Sequence, residues 1–118
     1  MPLPEFKQIV DEARSQIQEI GPDDLRRMRQ SGEDFTLIDV REPDEHAKGT
    51  IAGAVPMPRG ILERDIDKLT TDKGRKIVLY CAGGFRSALA ALSLKSMGFN
   101  NVISLSGGYR GWTQSQSG

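Results

Sequence analysis

Apolar side chains recur at helical spacing through Phe6, Ile9, Val10, Ala13, Ile17 and Ile20, until Gly21-Pro22 ends the run. The pattern predicts an amphipathic N-terminal helix over residues 1–19. Pro22-Asp23-Asp24-Leu25 then puts a proline and two acidic residues where a helix's first turn favours them, and Gly32 closes a second, shorter helix. Residues 35–40 are apolar and β-branched without strict alternation, which suits a strand covered on both faces; Ile77-Val78-Leu79-Tyr80 has the same character.

Between these strands the sequence predicts a helix over residues 42–48, a short strand at Ala54-Val55 and a helical turn over 60–67, punctuated by Pro43, Pro56 and Pro58. Residues 87–97 are rich in helix formers and stop at Gly98, the clearest helix in the chain. A last strand is expected over 101–105, a tight turn at Gly107-Gly108, and a frayed polar tail over 114–118 that begins to loosen at Thr113. Alternating strands and helices predict an α/β fold: a small parallel sheet flanked by helices on both faces, with an extra N-terminal helix. The expected organisation is an N-terminal extension over 1–19 and one domain over 20–113, with the extension packed on its own domain rather than on a second copy.

Composition narrows the function. A chain of 118 residues holds one core. Its 16 Lys+Arg balance 16 Asp+Glu, so the basic footprint of a protein that grips nucleic acid or an anionic membrane is missing. The apolar runs are far shorter than the ~20 residues of a membrane helix, and the N-terminal residues lack a secretory pattern. A single, exposed cysteine belongs in a reducing compartment, so the cytoplasm is the expected location.

That cysteine, Cys81, stands at the carboxyl end of an apolar strand, followed by Ala82, Gly83, Gly84, Phe85, Arg86 and Ser87 and then the strongest helix. Strand ends of this kind are where open α/β sheets place their ligands. A strand-to-helix turn with two glycines gathers backbone N–H groups into a cradle for an anion. The helix N-terminus and Arg86 favour the thiolate, so no histidine is needed as a base, and a Cys-His hydrolase is disfavoured. The plainer reading of Cys81 is a small buried apolar side chain. Strand end, glycine pair, arginine and helix start together favour the functional one.

The stretch Tyr80-Cys81-Ala82-Gly83-Gly84-Phe85-Arg86-Ser87 resembles the active-site loop of rhodanese-like sulfurtransferases. Residues 39–54, Asp-Val-Arg-Glu-Pro-Asp-Glu-His-Ala-Lys-Gly-Thr-Ile-Ala-Gly-Ala, resemble that family's upstream signature, and Gly107-Gly108-Tyr109-Arg110-Gly111-Trp112 its closing one. The resemblance covers roughly residues 20–112. It implies that a small anionic donor such as thiosulfate gives its outer sulfur to Cys81, and that the persulfide passes to cyanide, a thiol or a protein acceptor. No cofactor or metal is implied. Ala82, Gly83, Gly84, Phe85, Arg86 and Ser87 would bind the transferred sulfur and its donor. The family has His where this chain has Thr50, a departure expected to affect packing more than chemistry.

Arg59 and Arg110 are expected to line the pocket mouth as anion attractants, and Asp39 and Arg41 to support the site, most simply as a structural ion pair. His46 reads as a solvated helix-face residue, and Gly107, Gly108 and Trp112 as scaffold. Two other function classes remain open: a sulfur-carrier or protein-binding module that does not turn over, and a phosphatase or arsenate reductase. Phosphatase loops on similar scaffolds are one residue longer between cysteine and arginine, and a resolving second cysteine for an internal redox cycle is lacking.

Overall fold

The computed structural model describes residues 5–116. Its strands are β1 (Gln18–Ile20), β2 (Thr36–Asp39), β3 (Val55–Pro56), β4 (Ile77–Tyr80) and β5 (Val102–Leu105). They form one parallel sheet in the order β1-β5-β4-β2-β3. β4 is therefore central, with Leu79 in register with Ile38 on one side and Ser104 on the other. All four β4 residues are fully buried, which accounts for the continuous apolar run that announced the strand.

The helices are α1 (Phe6–Arg14), α2 (Pro22–Gln30), α3 (Pro43–Ala47), α4 (Leu62–Asp65), α5 (Phe85–Ser96) and α6 (Gly108–Gln116), with short 3-10 turns on either side of α4. On one face of the sheet, Ile38, Val40, Ile77 and Leu79 pack against Leu62, Ile66 and the Ala90, Ala91 and Leu94 stripe of α5. On the other, Leu37, Val78, Ile103 and Leu105 meet Leu25 of α2 and Trp112 of α6. Complete burial of Leu79 and Leu94 contributes about 1.5–3 kcal/mol each.

The expected N-terminal helix is real but shorter than its periodicity suggested. α1 starts where the Gln8 side chain accepts the Glu5 N–H at 2.7 Å, and it ends at Arg14. Ile17 and Ile20 fit a helical repeat, yet Gln18, Glu19 and Ile20 pair with Ile103, Ser104 and Leu105, because an open edge of β5 offers them a full ladder. α1 packs on α5 within the same chain, burying Val10 and Ala13 and setting Phe6 edge-on to Phe85 at 6.3 Å. The C-terminal expectation also needs correcting. The stretch from Thr113, expected to fray, continues α6 as far as Gln116, anchored by buried Trp112; Ser117 and Gly118 lie outside the described residues.

Candidate active site

Cys81 leaves the central strand at its carboxyl end, and α5 begins four residues later. Gly84 turns the chain there with φ +97°, a conformation in which a β-carbon would stand 3.2 Å from the Gly107 nitrogen. The turn aims the Gly84 N–H at Cys81 Sγ, 3.1 Å away. From the first turn of α5, the Ser87 hydroxyl comes within 3.6 Å of the same sulfur. The thiol expected to be exposed is instead buried, with 1% of its surface accessible, because loop and helix close over it.

The closing motif does more than turn the chain. Tyr109 N–H donates to the Cys81 carbonyl at 2.8 Å and Arg110 N–H to the Ala82 carbonyl at 3.0 Å, so the first turn of α6 clamps the loop from behind. Contact is so close that a β-carbon on Gly108 would collide with the Cys81 carbonyl and lie 2.8 Å from the Ala82 carbonyl carbon. Gly107 and Gly108 are thus scaffold, as expected, but scaffold of the loop itself.

The charged residues divide into two groups. Arg86 turns toward α3 and grips Glu45 through two hydrogen bonds of 2.8 and 3.1 Å. The Arg86 guanidinium holds the Glu45 carboxyl down at about 2, and Glu45 in turn raises Arg86. Arg110 is exposed, and its guanidinium lies over Gly83, 3.1 Å from where a β-carbon would sit. It is the cation facing the loop for which no carboxylate partner is found among the described residues. Arg59 is tied to Glu63 at 2.6 Å, and Glu63 also accepts from Ser93, two turns along α5.

Behind the loop sits a second polar layer. Asp39 and Arg41, both buried, form the ion pair expected of them, with the Arg41 guanidinium 2.8 Å from the Asp39 carboxylate and stacked 4.4 Å from the Tyr109 ring centre. Burial by itself raises the Asp39 carboxyl, but hydrogen bonds from Arg41 and His46 bring it below its ordinary value. His46 was expected in solvent; it is half-buried, with its Nδ1 2.8 Å from the Asp39 carboxylate. Thr50, the departure from the family pattern, shares a 2.7 Å hydrogen bond with the Tyr80 hydroxyl, which also donates to Asp39 and accepts the Ile51 N–H. The loop is therefore supported at this point by a hydroxyl pair.

Sequence reasoning missed three groups: Glu45, the Tyr80 hydroxyl and Ser104. The last was visible as a lone hydroxyl within the apolar Val102-Ile103-Ser104-Leu105 strand. It is buried, 2.8 Å from Ser87.

A sulfur that accepts a backbone N–H at a helix start, in a loop overlain at Gly83 by a cation, has the surroundings that suit attack on a small anionic electrophile. Comparison with known proteins bears on which one. The family model of the Rhodanese-like domain matches residues 21–115. The chain is 35% identical over 102 residues to the putative sulfur carrier protein YrkF of Bacillus subtilis, covering 86% of this chain but only 54% of YrkF. It is 32% identical over 98 residues to a sulfurtransferase of Allochromatium vinosum, covering 83% of this chain and 90% of that one. Among solved structures, a Rhodopseudomonas palustris protein of unknown function, described as a possible tyrosine phosphatase, superposes with a TM-score of 0.87 at 35% identity, covering 98% of this chain and 96% of that one.

Proposed function

Because the chain belongs to the Rhodanese-like domain family, we propose that it moves a sulfane sulfur from a small anionic donor such as thiosulfate to cyanide, a thiol or a protein acceptor, through a persulfide on Cys81. The observation that carries this reading is the 3.1 Å bond from Gly84 N–H to Cys81 Sγ at the start of α5.

The Cys81 thiolate attacks the outer sulfur of thiosulfate; the donor's S–S bond breaks, sulfite leaves with the electron pair, and a Cys81 persulfide remains. An acceptor thiolate or cyanide then attacks the outer sulfur and leaves as persulfide or thiocyanate, returning the Cys81 thiolate. No outside oxidant or reductant is consumed. The loop from Ala82 to Ser87 surrounds the transferred sulfur, Arg110 meets the donor's anionic end, and Arg86 braces the loop through Glu45. Asp39 and Arg41 support it from below. Arg59, engaged by Glu63, serves at most at the rim. A free thiol persists in a reducing compartment, which also supplies thiol acceptors, so the cytoplasm is the setting this chemistry suits. Among the described residues no helix is long and apolar enough to cross a membrane.

The second reading is a carrier that hands sulfur to one protein partner and turns over poorly with small molecules. Burial of Cys81 favours it, since access then depends on opening the loop, and YrkF is called a putative sulfur carrier. A phosphatase reading, suggested by the description of the Rhodopseudomonas protein, is opposed by the four residues between Cys81 and Arg86, one fewer than a phosphate-sized loop has. The deciding experiment is intact-protein mass spectrometry of reduced protein after thiosulfate, beside Cys81→Ser. Wild type gains the mass of one sulfur, cyanide removes it, and the variant gains nothing. No gain in the wild type refutes transfer from thiosulfate and leaves the partner-fed carrier.

A further inference from the structure

Ser104 is a hydroxyl where the sheet calls for an alkyl group. It sits on β5 opposite Leu79 of the central strand, wholly buried, on the side of the sheet that faces α5. Its hydroxyl lies 2.8 Å from Ser87 Oγ, and Ser87 Oγ lies 3.6 Å from Cys81 Sγ. Replacing both members of a buried hydroxyl pair by apolar groups is close to neutral for stability, so stability alone does not require the pair. The chain of contacts from Ser104 ends on the reactive sulfur.

We infer that Ser104 is a positioning residue that sets the direction of the Ser87 hydroxyl and thereby the ease with which Cys81 ionises. The inference rests on Cys81 being the sulfur-handling nucleophile proposed above. Each hydroxyl has one proton and can accept others. When Cys81 is a thiol, S–H donates to Ser87 and Ser87 donates to Ser104. Once the thiol proton has left to solvent, both hydroxyls rotate: Ser104 donates to Ser87, and Ser87 donates to the thiolate. The second donor polarises the first, and a donor aimed at a charge gains more from this than one aimed at a neutral group. Ser104 therefore favours the thiolate without touching it.

The charged and titratable groups around Cys81 are Arg86 on α5, Glu42 and Glu45 beside it, His46 on α3, Asp39 at the end of β2 with its partner Arg41 two residues on, and Arg110 from α6. A Ser104→Ala change leaves all of them in place. The pH at which Cys81 reactivity is half developed then reports the hydroxyl alone.

The test is the rate of Cys81 alkylation by iodoacetamide across pH, followed by intact mass, in wild type and Ser104→Ala. Below the midpoint the variant should react about two- to fourfold more slowly, the order expected of one cooperative donor, while the high-pH plateau stays the same. A plateau change with an unmoved midpoint means Ser104 only packs, and overturns the inference. In Ser87→Ala, adding Ser104→Ala should move nothing further; an additive second shift overturns it equally. The isosteric pair Ser104→Thr and Ser104→Val repeats the comparison at fixed shape should the alanine variant fail to fold, with only valine shifting the midpoint. Sulfur uptake from thiosulfate is scored separately. A moved midpoint without uptake sinks the proposed donor and leaves the relay standing; uptake without a moved midpoint does the reverse.

Discussion

Removing the charge of Arg110 should reduce the preference of Cys81 for anionic reagents without disabling the sulfur. Three of the four arginines considered for the site are engaged: Arg41 by Asp39, Arg59 by Glu63 and Arg86 by Glu45. Arg110 lies over the loop glycine Gly83. An anion approaching the sulfur about 5 Å from that guanidinium, in largely aqueous surroundings, gains about 0.5–1 kcal/mol after screening at moderate salt. The gain corresponds to a factor of about two to five in rate. The assay is the ratio of alkylation rates with iodoacetate and iodoacetamide, two reagents of similar size and different charge; dividing one by the other cancels the cost of opening a buried thiol. Arg110→Gln should lower the ratio by that factor at low salt, and the difference from wild type should shrink toward nothing near 1 M salt. Thiosulfate should show a raised KM in step. An unchanged ratio would mean that another charge selects the donor, Arg86 released from Glu45 being the next to examine.

Two further outcomes follow from the geometry. Glu45→Gln should cost roughly 0.2–1 kcal/mol near neutral pH, the worth of a partly exposed ion pair. Glu45 is held at about 2, below its ordinary 4.5, so its contribution is full above pH 4.5 and fades as pH falls toward 2. Urea melts of wild type and variant should therefore converge in acid, and a gap that widens there would contradict the assignment. Gly108→Ala forces a β-carbon into the Cys81 and Ala82 carbonyls at φ +58° and should lower stability by about 2 kcal/mol or more. Thermal melting reads that loss, and Cys81 alkylation should show the loop loosened; a variant as stable as wild type would refute the clamp.

What could be read from the sequence was whatever is local. β4, the loop and α5 are contiguous, and their apolar run, glycine pair and helix formers each act over a few residues; the expected strand is the one observed, and the helix begins two residues earlier than expected. β1 was hidden because three residues on a sheet edge carry no pattern of their own, and Ile17 and Ile20 continued the helical repeat of α1. α6 was hidden because Gly107, Gly108 and Gly111 oppose a helix locally; it forms where its first N–H groups meet the carbonyls of a loop far earlier in the chain. The same distance concealed the site's electrostatics. Nothing near Arg86 announces Glu45, 41 residues earlier; Asp39 is only seven residues before His46, but no local pattern aims the ring at it.

The clamp of α6 on the loop also has a temporal side. Synthesis is vectorial, and a nascent chain that has emerged only through α5 already carries Cys81, Gly84 and Ser87. It still lacks the N–H groups of Tyr109 and Arg110 that hold the loop's first carbonyls, and the β5 strand that brings Ser104 beneath the sulfur. The clamp around the thiol is thus completed by elements made after the loop it holds. Until α6 has emerged, the carbonyls of Cys81 and Ala82 lack the donors that fix the loop.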